Sequence, residues 1–514
     1  MRDGGLSADR LKRLHDVMTG YVERDEVPGL AWLVARRGEG HVNAIGSLAA
    51  GGEEPVRRDT IFRISSMTKP ITAAAAMVLV EECAIRLNEP VDRLLPELAN
   101  RQVLRRPDAE LDDTVPASRP ITVRDLLTFT MGLGIVMAEP GTMPIADALV
   151  DLELGQGMPS PVKPPAPDEW ISRLGTLPLL YQPGERWMYN TGADVLGVLI
   201  ERASGQPFET FLAERIFRPL GMTDTGFDVP FEKIGRLPPA YVINPATGAP
   251  VVYDQAQGGQ WSRLPTFPSG GGGLVSTVDD FLAFADMLRG KGVSRGERIL
   301  SRPSVEFMTA DQLTPEQKAA SGLVPGFFRV HGWGFGVSVV TERTDIAKSP
   351  GTYGWDGGMG TSWYNDPAED LTMILMTQQA WASPMPPRLF QDFWTLTYQA
   401  IADLRERGAR RGRCGTVTGR PGVASRDRPR GLGRRADVRA GTEPPMPVPN
   451  APAVRCRSVR PPRMPRRDHF GRTTAESEQI HQMPDEGRTR HQRAGRAALD
   501  GRAGRGCVSI AAEM

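Results

Sequence analysis

The sequence predicts an α/β (α+β) fold, an antiparallel sheet flanked by helices with a mainly helical part inserted in its middle. Three observations carry this. β-prone segments lie near both ends of residues 1–405, helical patterns fill the stretch between them, and the composition changes sharply from about Glu406 onward. One sheet would then be built from both termini, about residues 1–65 and 260–405, with the helical part at about 66–259.

Each element has its local reason. Ser7 to about Arg24 reads as an amphipathic helix with Ser7 as N-cap and Leu11, Leu14, Val17 and Met18 on one side. Gly29–Arg36 and His41–Leu48 read as two strands joined by the hairpin Arg37-Gly38-Glu39-Gly40. Thr60–Ile64 is β-prone and leads into Ser66-Met67-Thr68-Lys69 and the run Lys69–Val80. Pro70 falls where proline is tolerated, in the first turn of a helix. That helix is apolar nearly all round, which predicts burial, and Cys83 behind it reads as a small core residue. Pro120–Leu127 is a turn into a short helix, and the Pro- and Gly-rich residues 138–168 read as a long loop near a site mouth. Asp194–Ala203 and Phe208–Phe217 are helices stopped by Gly205 and Pro219. The run Gly270–Gly273 lacks the Lys-Ser/Thr ending of a phosphate loop and reads as close backbone packing before the helix Val278–Leu288. His331–Glu342, Ser362–Asn365 and Leu371–Gln378 are expected strands, and Arg388–Ala402 a closing helix.

Residues 401–514 carry 25 Arg, no Lys and 12 acidic residues, while residues 1–400 are net acidic. The acidic body gives no support for a nucleic-acid or anionic-membrane partner. Residues 406–514 have Phe470 as their one aromatic and cannot bury enough apolar surface to order, so they read as a disordered tail. Such a tail fits a segment for nucleic acid or an acidic partner, or equally a shifted reading frame in a GC-rich gene. Cys414, Cys456 and Cys507 lie in it, and no disulfide framework or zinc pattern is visible. The N-terminus lacks an apolar signal core and no run is long enough to span a bilayer, so a cytoplasmic protein is expected.

The chemistry centres on Ser66. On a helix start, Ser66 and Lys69 share one face, about 5–6 Å apart at Cβ. The helix end adds unpaired N–H groups and partial positive charge. A serine, a lysine and free backbone donors in one buried spot can form an acyl-transfer site. Lysine is protonated in water, so its pKa must fall from about 10.4 to near 7 for it to serve as a base, and burial and the helix end both push that way. Two rivals carry parts of this pattern. Ser160-Pro161-Val162-Lys163 repeats the spacing in a proline-dense run where no helix can align the pair. Gly292-Val293-Ser294-Arg295-Gly296 matches the nucleophile elbow of α/β-hydrolases, with His331 as a conceivable base, but neither a strand precedes it nor a buried helix follows.

Two further segments complete the pattern, Gly184–Gly197 with Tyr189-Asn190-Thr191 at its centre and Gly351–Thr361 with Trp355-Asp356-Gly357-Gly358. With Ser66 and Lys69 they make residues 10–400 resemble the serine β-lactamase and penicillin-binding-protein superfamily, and within it the class C β-lactamase-like family VIII carboxylesterases. The resemblance implies a β-lactamase/transpeptidase-like fold. It makes Ser66 the nucleophile, Lys69 its activating partner and Tyr189 the proton-shuttling phenol, the last two titrating together. The N–H groups of Ser66 and Gly358 would form the oxyanion hole. Thr191, Trp355, Asp356 and Gly357 would bind substrate, with Trp355 walling the acyl pocket. Trp355 stands where β-lactamases carry a lysine that meets the lactam carboxylate, and Thr191 where class C enzymes carry an asparagine that holds the lactam amide. Both departures favour neutral, small-molecule esters. The expected activity is ester hydrolysis through an acyl-serine, with no metal or cofactor. A weak β-lactamase or D-amino-acid peptidase, and a retired fold serving as a scaffold, are the alternatives.

Overall fold

Gly29–Arg36 (β1) is buried along its whole length, as expected of a strand covered on both faces, and Glu39–Gly46 (β2) returns beside it at the sheet edge. The computed structural model describes residues 4–402; the predicted Arg-rich tail, and the unordered state expected of it, lie outside the described residues. Ala8–Glu23 (α1) precedes the hairpin, with Ser7 capping it by accepting from the Arg10 N–H. Phe62–Arg63 (β3) leads to Thr68–Glu81 (α2), and Thr191–Ser204 (α3) lies further along the helical region. Val275–Ser276 (β4) pairs with β3, and Val278–Arg289 (α4) follows. The chain then returns to the sheet as His331–Trp333 (β5), Ser338–Val340 (β6), Tyr353–Gly357 (β7), Thr361–Asp366 (β8) and Leu371–Thr377 (β9), closed by Arg388–Gln399 (α5).

The seven strands run β5-β6-β7-β8-β9-β1-β2, antiparallel at every pairing. The sheet is thus assembled from both ends of the described chain, as the order of β-prone segments predicts. Alternation sorts its side chains. Leu30, Trp32, Val34, Tyr364, Met373 and Leu375 meet α1 and α5, while Ala31, Leu33, Trp363, Ile374 and Met376 join the core with α2 and α4. Helix α2 is buried from Thr68 to Leu79, and its four consecutive alanines, Ala73–Ala76, suit close packing in this core.

Several expectations need correcting. Cys83 is exposed, in a left-handed turn just past the end of α2, not in the core. The Pro- and Gly-rich loop contains a helix, Pro144–Asp151, because a proline at a helix start costs no hydrogen bond. The segment His331–Glu342 is two short strands, split by a reversal in which Gly334 N–H donates to the Val337 carbonyl. Phe208–Phe217 is helical as expected, α over Phe208–Leu212 and π over Ala213–Phe217, but Pro219 does not stop it: Arg218–Leu220 continues the helix, and the left-handed Gly221 ends it.

Candidate active site

Strand β3 hydrogen-bonds onward to the chain near β4, where the Ile64 N–H donates to the Leu274 carbonyl. Ser65 then takes a left-handed φ of 46°, which strains a residue with a Cβ. The turn Ser65–Met67 passes straight into α2, so Ser66 sits at the helix entrance, where backbone N–H groups have no partner within the helix.

Lys69 Nζ lies 3.0 Å from Ser66 Oγ, donates to the Gly271 carbonyl at 2.5 Å, and stands 4.4 Å from the Tyr189 ring centre. Its side chain is fully buried, and burial brings the amine down to about 7 against the pull of Asp194, which raises it. Half the amines are then neutral near pH 7 and can take the Ser66 proton. Labelling of Ser66 by a fluorophosphonate should therefore rise about tenfold per pH unit up to about pH 7 and level off above it. A labelling rate flat from pH 5 to 9 would show that no such base exists.

Asp194 went unnoticed in the sequence, although an acid four residues after Asn190 in an otherwise apolar helix start is a usable signal. Its Oδ1 accepts from Ser269 Oγ at 2.6 Å and from the Gly271 N–H at 2.9 Å, and its Oδ2 from Asn190 Nδ2 at 3.2 Å. Burial raises its pKa, and these donors and Lys69 work the other way. Gly271 is held on both sides, its N–H by Asp194 and its carbonyl by Lys69. The carboxylate thereby fixes the carbonyl that positions the amine.

Tyr189 precedes a tight reversal. Asn190 has φ 78° and ψ −66°, and the Thr191 N–H donates to the Tyr189 carbonyl at 3.2 Å, a strained γ-turn that opens α3. Burial pushes the Tyr189 phenol well above its usual pKa, and hydrogen bonding with Ser66 and Trp355 opposes that push. The Trp355 indole N–H donates to the phenol oxygen at 2.7 Å. Trp355 packs edge-on to Trp333 at 4.7 Å between centroids and belongs to an aromatic cluster with Phe129, Trp187 and Phe328. The donor facing Tyr189 here is uncharged.

The end of β7 abuts the turn that carries Ser66. A Cβ on Gly357 would lie 2.3 Å from the Ile64 carbonyl oxygen, so only glycine lets the strand approach this closely. Thr361 Oγ1 donates to the same carbonyl at 3.1 Å. Gly358 comes next, and the place its Cβ would take is open space. Thr191 sits at the start of α3 and is 1% exposed.

Asp356 is a correction. A strand turns successive side chains to opposite faces, so Asp356 points to the other sheet face from Trp355, although its charge still acts on Tyr189. It lies on the α5 face, where Oδ2 accepts from Tyr364 O–H at 2.8 Å and the charge of Lys348 acts on it. Burial raises Asp356, and Lys348 lowers it. The rival serines do not assemble. Ser294 lies on the two-residue ribbon Val293–Ser294, paired with Glu297–Arg298. His331 instead stacks on Phe327, and no hydrogen bond joins it to Ser294 among the described residues. Ser160 donates to Gln260 Oε1 at 2.8 Å. Among the described residues no group of three or more His, Cys, Asp or Glu side chains could hold a metal, and no helix is long and apolar enough to cross a membrane.

Known proteins share the family and the fold. The sequence model of the Beta-lactamase family matches residues 14–388. Protein Rv1367c of Mycobacterium tuberculosis is 41% identical over 345 residues, 66% of this chain and 82% of its own length. Esterase EstB of Burkholderia gladioli is 30% identical over 410 residues, 74% of this chain and 93% of its own. Among solved structures, EstCE1, described as a hydrolase with promiscuous acyltransferase activity, superposes with a TM-score of 0.62 at 26% identity, covering 77% of this chain and 98% of its own.

Proposed function

The chain belongs to the Beta-lactamase family, and from that premise we propose that it cleaves neutral carboxylic esters of short acyl chains through an acyl intermediate on Ser66. The observation that carries the reading is one connected path: Lys69 beside Ser66, its amine over the Tyr189 ring, and Tyr189 held by an uncharged indole donor.

In this reading neutral Lys69 takes the hydroxyl proton as Ser66 Oγ attacks the ester carbonyl. The oxyanion is met by the N–H groups of Ser66 and Gly358, each worth about 2.7–4 kcal/mol where such donors are preorganised. Tyr189 relays a proton to the departing alkoxide, and water then releases the acid. The phenol must face the leaving oxygen, so Trp355, which holds that phenol, walls the alcohol side rather than the acyl side. Gly357 spaces the oxyanion strand, and Thr191 anchors the tyrosine turn. No ammonium stands at Trp355 to receive a β-lactam carboxylate. Transfer of the acyl group to an alcohol in place of water would use the same intermediate, and the likeness to EstCE1 favours testing it. The protein is expected to act in the cytoplasm.

A substrate panel tests this. kcat/KM for p-nitrophenyl butyrate should exceed that for nitrocefin by about a thousandfold, the loss expected when a charged partner is missing for a buried carboxylate. Comparable values on the two would overturn the neutral-ester reading and favour a β-lactamase.

A further inference from the structure

The second Ser-x-x-Lys tetrad finds a different use. Residues 158–163 run as a strap past the glycine run that holds Lys69. A Cβ built on Gly272 would lie 3.3 Å from Pro159 Cγ and 3.9 Å from the Ser65 carbonyl carbon. The proline ring therefore borders the nucleophile turn at the point where Gly272 offers no side chain.

Two hydrogen bonds pin the strap. Tyr253 O–H donates to the Pro159 carbonyl at 2.9 Å, and Ser160 Oγ donates to Gln260 Oε1 at 2.8 Å. Gln260 N–H in turn donates to Asp254 Oδ1 at 2.7 Å. Asp254 is the buried ion partner of Arg63, whose Nε lies 3.0 Å from its Oδ2, and Arg63 is on β3, which leads into Ser66. The strap thus hangs from the segment that carries the nucleophile. Tyr253 and Gln260 also border an open surface depression. With the alcohol on the Tyr189 side, the acyl chain needs another flank, and at the Gly272–Pro159 flank the nearest atoms that a Cβ on Gly272 would meet are those of Pro159 and Ser65.

We propose that Pro159, held by Tyr253 and Gln260, is a specificity-determining residue that limits the length of the aliphatic acyl chain carried on Ser66. This rests on Ser66 being the esterase nucleophile. The readout is the ratio of kcat/KM for p-nitrophenyl octanoate to that for the acetate. Pro159→Ala should raise it about tenfold, the scale on which hydrophobic pockets discriminate methylenes, and Tyr253→Phe should raise it about threefold. Gly272→Ala, whose methyl would press on Pro159, should lower it. Acetate esters of longer alcohols should show no such change. A ratio within about twofold of wild type in Pro159→Ala and Tyr253→Phe proteins that melt normally overturns the proposal, as does a shift confined to the alcohol series. Should Pro159→Ala fail to fold, the Tyr253→Phe and Gly272→Ala pair, with opposite expected signs, decides alone. Failure of the hydrolase reading looks different: wild type would turn over no ester, or Ser66→Ala would retain the turnover.

Discussion

Ser66→Ala is expected to lower p-nitrophenyl butyrate hydrolysis by about 10⁴-fold or more, because no other group in the site can form the acyl bond. The oxyanion donors and the binding surface stay in place, so a small residual rate over water should persist. The fall should appear in kcat far more than in KM, since Oγ contributes little to binding the ground state. Ser294→Ala, on its surface ribbon, should leave the rate within about twofold. If Ser294→Ala abolished turnover and Ser66→Ala did not, the assignment of the nucleophile would be wrong. Circular dichroism melts should accompany both, because Ser66 lies in the turn that starts a buried helix.

Lys69→Met is expected to cut kcat/KM by about 10³–10⁴-fold, the usual scale of a lost general base with some added loss of the carbonyl contact at Gly271. The same substitution should change how stability depends on pH. Lys69 has a folded pKa of about 7 against 10.5 in an open chain. Below pH 7 the amine is charged in both states, so the folded protein bears the full cost of burying an ammonium. Between pH 7 and 10.5 the unfolded chain binds a proton that the folded one lacks, and stability rises with pH. Above 10.5 both forms are neutral and the cost is gone. The slope from this one group is about 1.4 kcal/mol per pH unit inside that window. Lys348, also at about 7 through burial, adds a similar slope of its own. Urea unfolding at pH 7, 8 and 9 should show a shallower rise for Lys69→Met than for wild type. Equal slopes would mean that Lys69 is not buried as an amine.

The helical face shared by Ser66 and Lys69 was legible because spacing on a helix start determines which side chains meet, and Pro70 marks that start. The sheet built from both termini followed from where the β-prone segments lie. Asp356 was misassigned although period-two alternation already sends it to the opposite face from Trp355. Asp194 was missed because its partners, Ser269 and Gly271, are distant in sequence and meet it only after the glycine run packs against α3. Cys83 was misjudged because a left-handed turn turns it outward just past the apolar helix, and composition says nothing of backbone handedness. Local pattern thus carried the pairing of Ser66 with Lys69, whereas the acid that fixes the carbonyl beside Lys69 depends on contacts made only in the fold.

The γ-turn at Asn190 leaves no slack between the Tyr189 ring and the 14-residue helix that follows it. For the relay role proposed for Tyr189, this would mean an orientation settled once, when the chain folds, rather than searched for on each turnover.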